Sequence, residues 1–71
     1  MTSEVNRVRN RTAIAISAVR VCVEQEKVPK ARLDGFIYDV SHLVYNRPGI
    51  EGHSIRLKVK DDIWEGIRDV L

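Results

Sequence analysis

Between Lys30 and Tyr45 the apolar residues Leu33, Phe36, Ile37, Val40, Leu43 and Val44 recur at steps of three and four. At 100° per residue they form one arc about 120° wide, which predicts an amphipathic helix over about 30–46. Pro29 stands just ahead, where it suits a first helical turn. Asn46-Arg47-Pro48-Gly49 ends the helix, because Pro48 disfavours helical geometry at Arg47 and removes a donor. On the other side Ala31, Gly35, Tyr38, His42 and Tyr45 make a second stripe. Its two small residues permit close approach, and its two tyrosines offer stiff contact area with a polar tip. Another element of the same chain covers this stripe, the tyrosines are simply tolerated at a surface, or a partner covers them.

Residues 3–27 show the same two-sided pattern. Ser3 is placed to cap the start. Val5, Val8, Thr12, Ala15, Ile16, Val19, Cys22 and Val23 form one stripe at helical spacing, and Ile14, Ala18 and Val21 form another. Between Ala13 and Val23 only Ser17 and Arg20 are polar, so a helix here needs cover on more than one side. The β-branched alternation of Ile14, Ile16, Val19, Val21 and Val23 also fits a strand. The helical stripe extends beyond that alternation in both directions, which favours helix.

Arg47 to His53, with two glycines and a proline, reads as a tight connection. The last segment, about 54–71, carries two patterns. Ile55, Leu57 and Val59 alternate with Arg56, Lys58 and Lys60 as a short strand over 54–60 would, with Asp61 or Asp62 then capping a helix from Ile63 to Leu71. As one helix, Ile55, Val59, Ile63, Ile67 and Val70 share an arc, while Leu57, Trp64 and Leu71 lie on the far side at heptad spacing. The single helix is preferred. The expected fold is therefore all-α, with three helices at about 3–27, 30–46 and 54–71 in a single domain spanning 1–71.

A chain of 71 residues buries only about 60% of its unfolded surface. Hydrophobic content of 44% is too high for disorder. No apolar run approaches the ~20 residues of a membrane span. The arginines ahead of an apolar run near the N-terminus resemble a signal peptide. Arg20 interrupts that run, however, and Glu24 to Lys27 stand where a small-residue cleavage site belongs, so a cytoplasmic protein is expected. The lone Cys22 reads as a small buried hydrophobe. Net charge of +2 with a pI near 9.0 permits nucleic-acid binding without demanding it.

The second stripes decide the functional reading. Together they hold Ile14 and Val21, Tyr38 and Tyr45, and Leu57, Trp64 and Leu71. Burying an apolar side chain of this size contributes roughly 1.5 to 3 kcal/mol, and a domain this small has a net stability of only about 5 kcal/mol. Monomers rarely expose apolar patches above a few hundred Å². A homodimer, a larger partner protein, or both, is the economical solution. Tyr38, His42, Tyr45, Leu57, Trp64 and Leu71 are the candidate partner-binding residues, since Trp and Tyr most often anchor interfaces.

Enzymatic chemistry has no visible foundation. His42 and His53 do not pair with Cys22 at zinc spacing, Asp61, Asp62 and Glu65 read as helix-start acids, and no glycine-rich phosphate loop is present. No catalytic residue, metal, cofactor or small-molecule substrate is therefore expected, and no membrane partner.

One stretch resembles a known family. Ala31-Arg32-Leu33-Asp34-Gly35, then Val40-Ser41-His42-Leu43-Val44-Tyr45-Asn46-Arg47-Pro48-Gly49-Ile50, with Arg56, Val59 and Ile63 further on, is similar to the helix-turn-helix DNA-binding headpiece of lactose-repressor-type regulators. The resemblance covers about half the chain and departs from the family in three ways. The turn after Gly35 is one residue short, the loop before Arg56 is one residue long, and a long helix precedes the motif. It implies a transcriptional regulator in which Tyr38, Asp39, Ser41 and His42 face the major groove and Arg47 touches phosphate. The leading expectation is instead a small non-enzymatic regulatory or inhibitory protein, of the kind phages and plasmids encode as accessory proteins. It would act as a homodimer that occludes a host or cellular protein.

Overall fold

The computed structural model describes residues 3–71, and its described residues form three α-helices followed by a 3₁₀ turn: α1 Glu4–Glu24, α2 Lys30–Val44, α3 Gly49–Gly66 and the turn Arg68–Val70. The segment 54–60, for which a strand had a claim, is helical throughout. The alternation there does not follow burial: Arg56 is inward with Val59, Leu57 and Lys58 are exposed, and Ile55 and Lys60 are half-buried.

Each helix starts and stops for local reasons. At α1, the Ser3 hydroxyl accepts a hydrogen bond from the Asn6 amide at 3.2 Å. Its far end closes where the Lys27 amide reaches the Cys22 carbonyl, with Glu26 at φ 55°. That is the left-handed position glycine usually fills. So α1 stops at Glu24 rather than continuing to residue 27. Pro29 caps α2 in extended conformation, and α2 ends at Val44, two residues short of expectation, where Tyr45 turns extended. α2 runs unbroken across Gly35, after which the repressor-like resemblance places a turn. Pro48 caps α3, which begins at Gly49 rather than Ser54, so only the first part of Arg47–His53 is a connection. Proline is as good a helix starter as a helix stopper. α3 ends at Gly66, and the residues expected to prolong it to Leu71 tighten into the 3₁₀ turn.

The core is small and aliphatic: Ala15 and Val19 from α1, Leu33, Ile37 and Val44 from α2, Val59 and Ile63 from α3, and Ile67. The half-buried Cys22 is not part of it. Two hydroxyls enter the interior at no loss, because each donates to a carbonyl one turn back: Thr12 to Val8 at 2.7 Å and Ser41 to Tyr38 at 2.6 Å. Leu43, assigned by periodicity to the inward arc of α2, is 81% exposed, and Ser41 holds the buried position instead. Val5, on the main stripe of α1, is also 67% exposed.

Two close approaches fix the frame. A Cβ on Gly66 would lie 2.6 Å from the Ile16 Cγ2, so α3 packs its last turn directly on α1. Arg20 fastens the same corner, donating to the Gly66 carbonyl at 3.0 Å and forking onto both carboxylate oxygens of Asp69. This bidentate pairing holds the Asp69 carboxyl below its usual range and raises Arg20. At the opposite end of α3, a Cβ on Gly52 would fall 2.0 Å from the Arg47 carbonyl oxygen, the same oxygen that accepts from the buried Arg56 guanidinium.

Candidate protein-binding surface

The residues singled out for partner contact separate into two places. Tyr38 and His42, one turn apart on α2, meet edge-to-face with ring centroids 4.8 Å apart. Lys60 of α3 extends over the Tyr38 ring, 5.6 Å from its centroid, and pairs with Asp34 at 3.1 Å. The cation is thereby held by a carboxylate and an aromatic face. Leu57 and Trp64 stand three residues before and four after Lys60, on the same side of α3. Trp64 packs partly on the core and shares a shallow hollow with Leu71, Glu65, Arg68 and Asp61. Tyr38, His42, Leu57, Trp64 and Leu71 thus line one aromatic and aliphatic surface across α2 and α3, with a held lysine at its middle. Tyr38, His42 and Trp64 are half-buried, whereas Leu57 and Leu71 are 42% and 51% exposed.

Tyr45 lies elsewhere. Its hydroxyl donates to Glu4 at 3.4 Å, and Arg47 approaches the same carboxylate at 3.6 Å. Tyr45 borders a groove of about 560 Å³ between α1 and α3, floored by Val5, Val8, Ile16 and Ile55 and rimmed by Arg9, Lys58 and Asp62. Of the residues tied to DNA contact by the repressor-like string, Asp39 and Arg47 are exposed, Tyr38 and His42 are half-buried in the aromatic pair, and Ser41 is fully buried.

The pattern missed part of the surface. Ile50, read as loop, is 86% exposed on the first turn of α3. It precedes Leu57 and Trp64 at the same seven-residue interval, so the outward line of α3 runs from Ile50 through Trp64. That spacing was legible once the helix was known to begin at Gly49. On α1, Ile14 and Val21 are 70% and 49% exposed, so the outer stripe of that helix has no cover among the described residues.

Among the described residues no cluster of three or more His, Cys, Asp or Glu is placed to hold a metal ion, and no helix is long and apolar enough to cross a membrane. Comparisons with protein-family models, with curated sequences and with solved structures found no match to this chain.

Proposed function

We propose that this chain is a non-enzymatic regulatory or inhibitory module of the cytoplasm that works by binding protein: a second copy of itself and a cellular partner whose working surface it covers. One observation carries the reading. Large apolar side chains stand outward on all three helices, and Leu57 and Leu71 share a face with Trp64 and, through Lys60, with Tyr38 and His42 of α2. A half-buried tryptophan beside exposed leucines is the composition of an interface anchor rather than of a solvated flank. Lys60, already paired with Asp34 and lodged against Tyr38, gives the centre of that face a charge compensated before any partner arrives, which keeps the desolvation cost of covering it low.

Mechanism on this reading is steric. The α2–α3 face fills a groove on the partner, and the charged residues around Trp64, namely Asp61, Glu65 and Arg68, form its polar rim. Trp64 is the only tryptophan in the chain, so its fluorescence reports on this face alone. Protein captured from a lysate of the source cells should be retained by the wild type and lost with both Leu57→Lys and Tyr38→Ala. The same protein, once purified, should shift the Trp64 emission. Equal capture by wild type and both variants, with each variant still helical, refutes the assignment of the face.

A further inference from the structure

The outward side of α1 has a feature that neither the core nor the α2–α3 face explains. Arg7, Arg11, Ile14, Ala18 and Val21 of α1, with Gln25 just after its last turn, follow one another at alternating steps of four and three, the spacing of a coiled-coil seam. All six are exposed. The apolar centre is Ile14, Ala18 and Val21, and the ends are polar. Arg7, Arg11 and Glu24 make no ion pair among the described residues, whereas Arg20, on the inward side, is committed to Asp69.

We infer that two copies of this chain pair along α1, antiparallel, with this seam as the dimer interface. The inference rests on the homodimeric part of the proposed function and specifies its geometry. Charge sets the direction. A parallel, in-register pair would set Arg7 on Arg7 and Arg11 on Arg11 across the seam, and like charges opposed at an interface are unfavourable. Running the helices in opposite directions, with Ile14 of each copy against Ala18 of the other, removes that opposition. It sets Arg11 against the partner's Val21 and Arg7 against the partner's Gln25. Glu24 of each copy then lies between Arg7 and Arg11 of the other. The apolar layers also fit, because the large Ile14 meets the small Ala18 twice about the two-fold axis. This is the self-complementarity that an isologous dimer requires. The α2–α3 face is left free for a different protein.

The test begins with the mass of the wild-type protein by light scattering, which establishes whether a dimer exists. Cysteine pairs then read its geometry. With the native thiol removed by Cys22→Ser, Ile14→Cys and Ala18→Cys chains are oxidised separately and as a mixture. The antiparallel seam gives disulfide-linked dimers chiefly in the mixture. Efficient self-linking of each variant alone means a parallel pair and overturns the inference. A dimeric mass with no linking in any sample places the dimer on another surface, and also overturns it while leaving the homodimer intact. A monomeric mass throughout removes the homodimer as well. Charge reversal at exposed positions supplies a second readout, with the helical content of each variant checked by circular dichroism. Arg11→Glu and Glu24→Arg should each weaken the dimer roughly tenfold, and the double reversal should restore it. Single reversals without effect on dimer dissociation count against the seam.

Discussion

The same substitution, glycine to alanine, should act with opposite sign at two helical positions, and the reason is geometric. At Gly35 in α2 an added Cβ meets nothing within 4 Å. Alanine there should add stability by about 0.5–1 kcal/mol, by lowering the entropy of the unfolded chain and favouring the helix. At Gly52 in α3 the added Cβ would sit 2.0 Å from the Arg47 carbonyl oxygen and 2.8 Å from its carbon. Carbon and oxygen tolerate about 3.3 Å, so the Arg47 carbonyl must retreat by more than an ångström. Those are backbone atoms of the short connection into α3, without a flexible side chain to give way. The same carbonyl accepts the one hydrogen bond that the buried Arg56 guanidinium makes among the described residues. Overpacking costs about 1–3 kcal/mol, and a lost bond from a charged donor about 1.5–3. Against a helix gain of about 0.5–1, the net loss is roughly 1.5–5.5 kcal/mol. In a domain of about 5 kcal/mol that removes about a third of the stability or more. Urea unfolding followed by far-ultraviolet circular dichroism measures both, with the slope against denaturant unchanged. A Gly52→Ala protein as stable as wild type, or shifts of the same sign at the two positions, would refute the packing described for the α2–α3 connection.

Other consequences are direct. Glu26 occupies a left-handed conformation without being glycine, so Glu26→Gly should raise the thermal midpoint, by relief of about 1 kcal/mol of strain less the added freedom of the unfolded chain. Asp69 has a depressed pKa through Arg20. Its contribution to stability is therefore present above the unfolded carboxylate value near 3.9 and lost as pH falls through the lower folded value, and Asp69→Asn should flatten that part of the acid-unfolding profile. Duplex DNA titrated into the protein at low salt should give no steep salt-dependent binding. Binding that falls with salt and disappears on changing Arg47 and His42 would instead support the repressor-like reading.

How far the sequence foretold the structure differs from element to element. Helix identity was legible because each segment repeats its apolar residues at three and four over several turns, and Leu33, Ile37, Val44, Val59 and Ile63 are buried as that spacing implies. The start of α3 was not, because Pro48, Gly49 and Gly52 carry the composition of a loop. Gly52 is helical here and lies against a carbonyl five residues back, a tertiary reason that no local pattern displays. Leu43 misled because a three-helix arrangement covers a narrower arc than six apolar positions suggest. Ser41 took the inward place because its own helix satisfies its hydroxyl. Among the candidate binding residues, heptad spacing grouped Leu57, Trp64 and Leu71, but it could not say that Lys60 would carry Tyr38 and His42 to them. Nor could it say that Tyr45 would bond to Glu4, forty-one residues earlier, and leave the group.

Self-association through outward apolar side chains is the claim on which the functional reading stands. Light scattering coupled to size exclusion, across a concentration series, measures it without knowledge of any partner. The account predicts a mass of twice 8.1 kDa that falls toward one chain only on dilution. A mass of 8.1 kDa at every concentration, with the helices intact, would contradict it.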